Sequence, residues 1–566
     1  MLTPKKNITK KKNMTKNKKK YIAILFMLIL VSWGYHLFYN DAFTGYEAQG
    51  YHIYLSASTV KFVNNWLREG PVNLNFTMYE HPDSVEFNSI NERFAYISYP
   101  SGAVIPPYVL ARLLNKDEIQ IGFIKQFLRL KFLFDTLLVC LIIYSIFMIT
   151  LRLRQNTAAI VLSVILALVW MNFPVNLYYL RNVYFSDHCI ISVVLLFVLL
   201  EINKKLFSKN QFTGFLFICL KFALALFGVL TDWYFLFVLF VSWLVIIIPL
   251  IKQKTNFLKI VSASLVYVPP VILGLGLFVL QVIQIPDYRN ILMDKFLLRS
   301  FTGHNHGLPG NNLYRNVVNF RDAYSLLGIF IFIFPVLCIF AKIFRKRIFP
   351  KKYDRLFNLI MIVYLPPVLH ILIFQNHSVV HDFSLLKFAL PVLISLILLP
   401  VFILDYKKSL YSSIMIKLEQ HKKLRTIKIP VFCLIIIALS ISYTFSIHKR
   451  GYIQYRIRTP VSYEKEYLIR SNYSFYDVYF SFTESIVANP PEYLAISNKL
   501  IYKIDSIDEI SQRFPNLRDD ARILLMVNRD DSEKTEQILN RERDAIQNAD
   551  LLFSSNNYDV WALKPL

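Results

Sequence analysis

The feature that most narrows what this chain can fold into is its succession of long apolar runs. Tyr21–Leu37, Tyr234–Ile251 and Ile260–Val282 approach or exceed the roughly 20 residues that a helix needs to cross about 30 Å of hydrocarbon. Backbone groups in lipid must be satisfied within their own segment, and a helix does this at every residue. A membrane β-barrel would show short alternating segments instead, and the chain carries no such series before its last quarter. Composition agrees with the helical reading. Of 566 residues, 55% are hydrophobic and 18% charged, whereas soluble domains carry about a quarter charged residues.

About eleven spans follow, near 21–38, 128–151, 157–173, 188–202, 212–230, 234–251, 260–283, 323–341, 356–374, 384–404 and 429–446. A basic tail, residues 1–20, precedes them. It resembles the start of a signal peptide, but no small-residue cleavage pattern follows, so an uncleaved first span is expected. The net charge of +25 does not point to nucleic acid, because no folded domain carries it as a basic face. Much of it lies instead in short connections: Arg152–Arg154, Lys204–Lys209, Lys252–Lys259, Lys342–Arg355 and Lys407–Lys428. Placing the N-terminus in the cytoplasm makes all five cytoplasmic, as the positive-inside rule requires.

The non-cytoplasmic side then receives the loop 39–127, the loops 174–187, 284–322 and 375–383, the turn Thr231–Trp233, and a C-terminal domain, 447–566. The expected fold is an α-helical polytopic membrane domain, 21–446, with its N-terminus in, its C-terminus out and a small extracytoplasmic α/β domain. Strand-like runs at Val478–Phe482, Lys499–Ile504, Ile523–Val527 and Val560–Leu563 alternate with helical patterns at Ile507–Phe514 and Glu533–Gln547. The five cysteines form no CxxC pair and none lies in the C-terminal domain, so neither a disulfide framework nor a metal site is indicated.

Candidate chemistry gathers on the non-cytoplasmic side. Asp41 and Glu47 lie just beyond the first span, where a carboxylate serves either as general base for an acceptor hydroxyl or as an ordinary solvated acid. Tyr99-Pro100-Ser101-Gly102 and Pro106-Pro107-Tyr108 read as an architectural turn. Asp187 and His188 enter the membrane edge, where an unpaired charge is costly. Either Arg181 pairs with Asp187, or a polar cavity holds a phosphate near Arg181 with an acid at Asp187. Asp232 reads as a structural cap. Arg299 precedes His304 and His306 in a Gly- and Pro-containing loop, whose surroundings suit a flexible cover better than a metal site. Lys387 either snorkels to the surface or presents its ammonium to a lipid-linked phosphate. No residue pattern argues for a cofactor, and dependence on a divalent metal stays open.

Several of these stretches resemble one family. Tyr46-Glu47-Ala48-Gln49 looks like the Tyr-Asp-Ala motif of the GT-C superfamily, the polytopic glycosyltransferases that include protein-mannosyltransferase and aminoarabinose-transferase types. The Tyr-Pro-Ser-Gly and Pro-Pro-Tyr stretch is similar to that family's Tyr-Pro-Pro-Gly and Pro-Pro-Leu-Tyr segments. Arg181 to Asp187 resembles its second acidic motif, and His381-Asp382-Phe383 with Pro391 resembles its late His-x-Tyr…Pro stretch. Glu47 stands where the family has aspartate, and His52 is one residue later than the usual histidine, so Glu47 and Asp41 remain rival bases. The paired tryptophans of the oligosaccharyltransferase signature are absent.

The resemblance implies transfer of a sugar, with inversion, from a polyprenyl-phosphate carrier to a glycan, lipid or protein acceptor. It implies Glu47, Asp41 and Asp187 as catalytic residues, and Arg181, Lys387, Arg299, His381 and His52 as ligands of substrate and phosphate. The implied setting is the plasma (inner) membrane with an extracytoplasmic active face, or the endoplasmic reticulum in a eukaryotic host. The absence of a glycine-rich phosphate loop fits a lipid-linked donor. A flippase for lipid-linked saccharides and a non-catalytic scaffold for envelope assembly are the alternatives.

Overall fold

A computed structural model describes residues 22–34, 52, 54–79, 95–150, 156–207, 210–300, 312–344, 354–398, 478–482, 501–513, 522–528, 537, 540–554 and 558–563. The candidate acids Asp41 and Glu47, the histidines His304 and His306, and the expected span at 429–446 lie outside these residues.

The first part of the chain is helical. Helix α1 covers Ile22–Gly34. Helices α2 (Tyr54–Glu69) and α3 (Ile105–Leu113) belong to the first large loop, with a two-stranded ribbon of β1 (Met78–Tyr79) and β2 (Ala95–Tyr96) between them. Then follow α4 (Ile121–Ser145), α5 (Asn156–Met171), α6 (Pro174–Asn182), α7 (Ser186–Phe207), α8 (Gln211–Val229), α9 (Tyr234–Lys252), α10 (Phe257–Ser264) and α11 (Val268–Val282). The series continues with α12 (Tyr288–Arg299), α13 (Asn312–Phe344), α14 (Asp354–Ile373) and α15 (Gln375–Val380). A 3₁₀ segment, Asp382–Phe388, leads into a further helix over 389–398.

Among the described residues six helices are long and apolar enough to cross a membrane, or up to eight if each of two bent pairs is one span. The bends have sequence causes. Helices α5 and α6 turn by 71° at Phe173, whose extended backbone is the one a following proline favours. The expected continuous span at 260–283 is instead α10 and α11, bent by 46°. Pro269 and Pro270, at the second and third positions of α11, cannot donate to a preceding turn, so they end one helix and start the next.

The surface identifies the solvent. Phe212 and Phe215 on α8 are 72% and 67% exposed, and Ile272 and Leu280 on α11 are 67% and 68% exposed. Aromatic and aliphatic faces this open are at home in hydrocarbon, so the protein is a multi-pass membrane protein. Helices α8 and α11 meet closely at Gly274, where a Cβ would sit 2.6 Å from Val229 Cγ1. Small residues allow such approaches between lipid-embedded helices.

Two buried ionic groups tie the spans together. Lys131 on α4 pairs with Asp135 at 2.6 Å, and Ser192 of α7 donates to the other oxygen of Asp135. Farther along α7, Glu201 pairs with Lys221 of α8 and accepts from the hydroxyl of Tyr267, which lies at the break between α10 and α11. The Lys221 ammonium sits 4.2 Å from the centre of the Tyr267 ring. Three elements are thus joined through one carboxylate.

The C-terminal unit is a five-stranded sheet of order β4-β3-β5-β7-β6, from β3 (Val478–Ser481), β4 (Ile501–Lys503), β5 (Ile523–Asn528), β6 (Asp550–Ser554) and β7 (Tyr558–Leu563). Strand β3 runs parallel to β4 and β5, while β7 is antiparallel to β5 and β6. The short helices α16 (Asp508–Arg513) and α17 (Arg543–Gln547) lie between strands in the chain. The four expected strands are present within a few residues. Strand β6 was not expected, because it offers only three consecutive apolar residues after a polar helix. One hydrophobic cluster takes in β3, β4 and β5 together with α2, the start of α4, and Phe278 and Val282 of α11.

Replacing one member of a buried pair strands the other charge, at a cost of roughly 3–5 kcal/mol. Lys221→Met is therefore expected to lower thermal stability in detergent strongly. Glu201→Gln/Lys221→Met should be more stable than Lys221→Met alone, a positive coupling that unfolding of the four-member cycle would measure.

Candidate active site at one end of the helix bundle

The connections that alternate spans assign to a single side do meet. Trp233 from the α8–α9 turn donates its indole N–H to Ser98 O at 2.9 Å, and Arg299 at the end of α12 donates to the same oxygen at 3.1 Å. Tyr184, in the α6–α7 connection, donates to Ala103 O at 2.8 Å. Tyr99 shares a hydrogen bond of 3.1 Å with His377 of α15. Five separate connections therefore build one end of the bundle.

At the centre lies an ion pair. Asp187, in the first turn of α7, is 2.6 Å from Lys387 of the 3₁₀ segment, and the two side chains are 3% and 1% exposed. The positive end of the helix dipole favours a carboxylate at that position. Lys387 also donates to His370 Nε2 of α14 at 3.1 Å, and its ammonium lies 5.0 Å from the centre of the Tyr234 ring. This settles two expectations. Asp187 pairs with Lys387 and not with Arg181. Lys387 does not snorkel, because its charge is held from three sides inside the protein.

A second carboxylate faces the same ammonium. Asp232 is fully buried, and its Oδ1 accepts the backbone N–H of Tyr234 at 2.7 Å, so it does cap α9. Its Oδ2 has no hydrogen-bond partner. Burial pushes Asp232 up to about 7, against the pull of Lys387 and with the repulsion of Asp187.

Histidines and aromatics form the surrounding wall. The Arg299 guanidinium stacks 4.7 Å from the centre of the Tyr99 ring. Burial and the nearby Asp187 carboxylate hold the Tyr99 phenol well above its usual range. His381 lies between His377 and His52, with ring centres 4.5 and 5.4 Å away, and stacks on Phe383. Burial, then the neighbouring His52 and Arg299, push His381 down to about 3, so its imidazole is neutral at ordinary pH. His52, with a left-handed backbone (φ 63°), sets its Nε2 3.6 Å from Asp382 Oδ1, and that same oxygen accepts the Tyr179 hydroxyl.

Gly102 seats the turn that carries Asp232. Its N–H donates to Leu230 O at 2.7 Å, and a Cβ would stand 2.4 Å from that oxygen and 2.7 Å from Thr231 Oγ1. Only glycine allows this approach, so the Tyr-Pro-Ser-Gly stretch is architectural.

Of the residues singled out from sequence, Asp187, Lys387, Arg299, His381 and His52 converge here. Arg181 is buried on α6, two residues beyond Tyr179 and close to the Arg129 guanidinium of α4. Sequence reading gave no role to Tyr179, His370 or His377, quoted Asp382 only inside the His381-Asp382-Phe383 motif, and saw in Asp232 only a cap. The signal for Asp232 was an acid in a three-residue turn between two long apolar runs, and for His370 a lone imidazole late in another run. Several buried polar atoms at this end lack a partner: Ser186 Oγ, both nitrogens of His188, His370 Nδ1, Ser378 Oγ, His381 Nδ1, Ser384 Oγ and Asp232 Oδ2. Unsatisfied groups this dense mark a place built for a polar ligand or water. Among the described residues no group of three or more His, Cys, Asp or Glu side chains is arranged to hold a metal.

No family model and no curated protein matches the chain by sequence. Solved structures match it by shape. ArnT from Cupriavidus metallidurans bound to undecaprenyl phosphate aligns with 96% of this chain and 98% of its own, at 10% identity and a TM-score of 0.55. The apo state of that protein gives 0.51 over the same shares at 11% identity. The archaeal oligosaccharyltransferase AglB from Archaeoglobus fulgidus, in complex with an inhibitory peptide and a dolichol-phosphate, gives 0.51 at 10% identity over 97% of this chain and 74% of its own. The chain shares its fold with these proteins. ArnT matches over nearly its whole length, AglB over about three quarters.

Gly102→Ala is expected to cost about 1–3 kcal/mol, the usual range for forcing atoms into a packed site. Gly276→Ala on α11, where a Cβ meets nothing within 4 Å, should change stability little. Thermal unfolding of the two variants in detergent compares them directly.

Proposed function

We propose that this protein transfers a glycosyl group from a polyprenyl-phosphate carrier to a glycan, lipid or protein acceptor on the non-cytoplasmic face of its membrane, the plasma (inner) membrane in a bacterial host. The observation that carries the reading is the buried charged pocket around Asp187 and Lys387, built at one end of lipid-embedded helices. A carrier with its chain in the bilayer would bring its phosphate to that depth, and a soluble nucleotide donor would not need it. The fold shared with ArnT, whose structure holds undecaprenyl phosphate, supports the same class of donor.

In this reading the acceptor hydroxyl attacks the anomeric carbon while a carboxylate takes its proton. Glu47 and Asp41 are the first candidates for that base. The bond to the phosphate oxygen breaks from the opposite side, inverting the anomeric centre. Arg299, held on Tyr99 and Ser98, and Lys387, held by Asp187, would stabilise the charge that develops on the phosphate. Arg181 and Arg129 form a second basic pair suited to an anion. His52 and His381 would line the sugar.

Movement of a lipid-linked saccharide across the bilayer is the second reading. It draws on the two bent helix pairs and on the ionic group Glu201–Lys221–Tyr267 within the spans, features that transporters also use. Liposomes distinguish the two: translocation without glycosyl transfer would favour transport.

The direct test follows labelled sugar from polyprenyl phosphate to an acceptor in membranes. Asp187→Asn should lower transfer at least about 100-fold while the protein is still made and inserted. Unimpaired transfer by a folded Glu47→Gln/Asp41→Asn variant would rule out a base in the first loop.

A further inference from the structure

The pocket holds two carboxylates for one lysine. Lys387 is 2.6 Å from Asp187, so Asp232 meets an ammonium whose closest partner is already taken. Asp232 is fully buried, and Oδ2 has no partner although Oδ1 is fixed by the Tyr234 N–H. A buried carboxylate with one bare oxygen is costly, whereas a carboxyl carrying a proton there is neutral and can donate. The groups that act on Asp232 come from every neighbouring element. They are Lys387 of the 3₁₀ segment, Asp187 and Cys189 of α7, Arg299 of α12, Tyr99 of the first loop and Tyr234 of α9. His370 of α14 reaches the site through Lys387. Gly102 fixes the turn itself.

We propose that Asp232 is a catalytic acid, which gives its proton to the departing phosphate as the bond between the anomeric carbon and the phosphate oxygen breaks. The proposal rests on the glycosyl-transfer reading. The acceptor oxygen bonds to the anomeric carbon and loses its proton to the base, and the electrons of the broken bond remain on the phosphate oxygen. That oxygen would leave as part of a doubly charged monoester in a site of low dielectric. Taking the Asp232 proton, it leaves singly charged. Asp232, now ionised, regains a proton from water once the product has gone. The proton shift of Asp232 toward neutral pH and the second ionisation of a phosphate monoester, with a pKa near 6 in water, are close enough for efficient transfer.

The sign of the pH dependence follows. An acid must be protonated to act, so kcat of the wild type should fall about tenfold per pH unit above about 7. Asp232→Asn keeps an oxygen for the Tyr234 N–H and should fold. Its kcat at pH 6 should be about 100-fold lower, flat through this range, with the KM for donor little changed. A merely structural Asp232 would not carry the pH limb. A donor with fluorines beside the phosphate oxygen, whose leaving group is less basic, should restore much of the lost rate and should flatten the wild-type limb. Infrared difference spectra of wild type minus Asp232→Asn should show a protonated carboxyl band at pH 6 that is lost at pH 9, independent of turnover. Full kcat in Asp232→Asn, or no such band at pH 6, overturns the acid while leaving glycosyl transfer intact. Failure to transfer from any polyprenyl-phosphate donor overturns the proposed function, and this role with it.

Discussion

Much of this architecture depends on keeping charge out of hydrocarbon. An isolated carboxylate or ammonium in a medium of low dielectric loses far more hydration than any single contact returns. The chain nevertheless brings Asp187, Asp232, Lys387 and Arg299 to the edge of its membrane helices. Three of the four are held by geometry that distributes the cost. Asp187 has a helix N-terminus and an ammonium, Lys387 has a carboxylate, an imidazole and an aromatic face, and Arg299 has a phenol ring and a carbonyl. The connecting loops pack on one another because each supplies a partner that another needs.

The bent helices serve the same requirement. Helix α6 turns away from α5 and sends Tyr179 to Asp382. The break before α11 places the Tyr267 hydroxyl against Glu201, so a polar group lies beside the interrupted backbone. Proline at both breaks prevents a continuous helix, and the side chains around each break give the freed end a polar environment.

Much of this was legible in the sequence, and for physical reasons. Apolar run length predicts spans because bilayer thickness is nearly constant. Asp187, Lys387, Arg299, His381 and His52 stood out because polar residues next to apolar runs need a partner. The pairing itself could not be read. Arg181 is six residues from Asp187 and Lys387 is two hundred away, yet the distant residue is the partner, since contact across a helix bundle is set by packing and not by sequence separation. Asp232 read only as a cap for the same reason, and β6 was missed because three apolar residues in a row do not distinguish a strand from a loop. For Asp41 and Glu47 the argument remains one of sequence and resemblance.

The distance along the chain between Asp187 and Lys387 also has a consequence in time. Translation proceeds at about 5–20 residues per second, so Asp187 is made roughly 10–40 seconds before the lysine that neutralises it. Asp232 waits nearly as long. During that interval the nascent chain holds two acids at the membrane edge with their counter-charge still unmade, and water or the insertion machinery must accommodate them. The last spans therefore complete the charge balance of the first, and a chain cut short before Lys387 would be a natural substrate for membrane quality control.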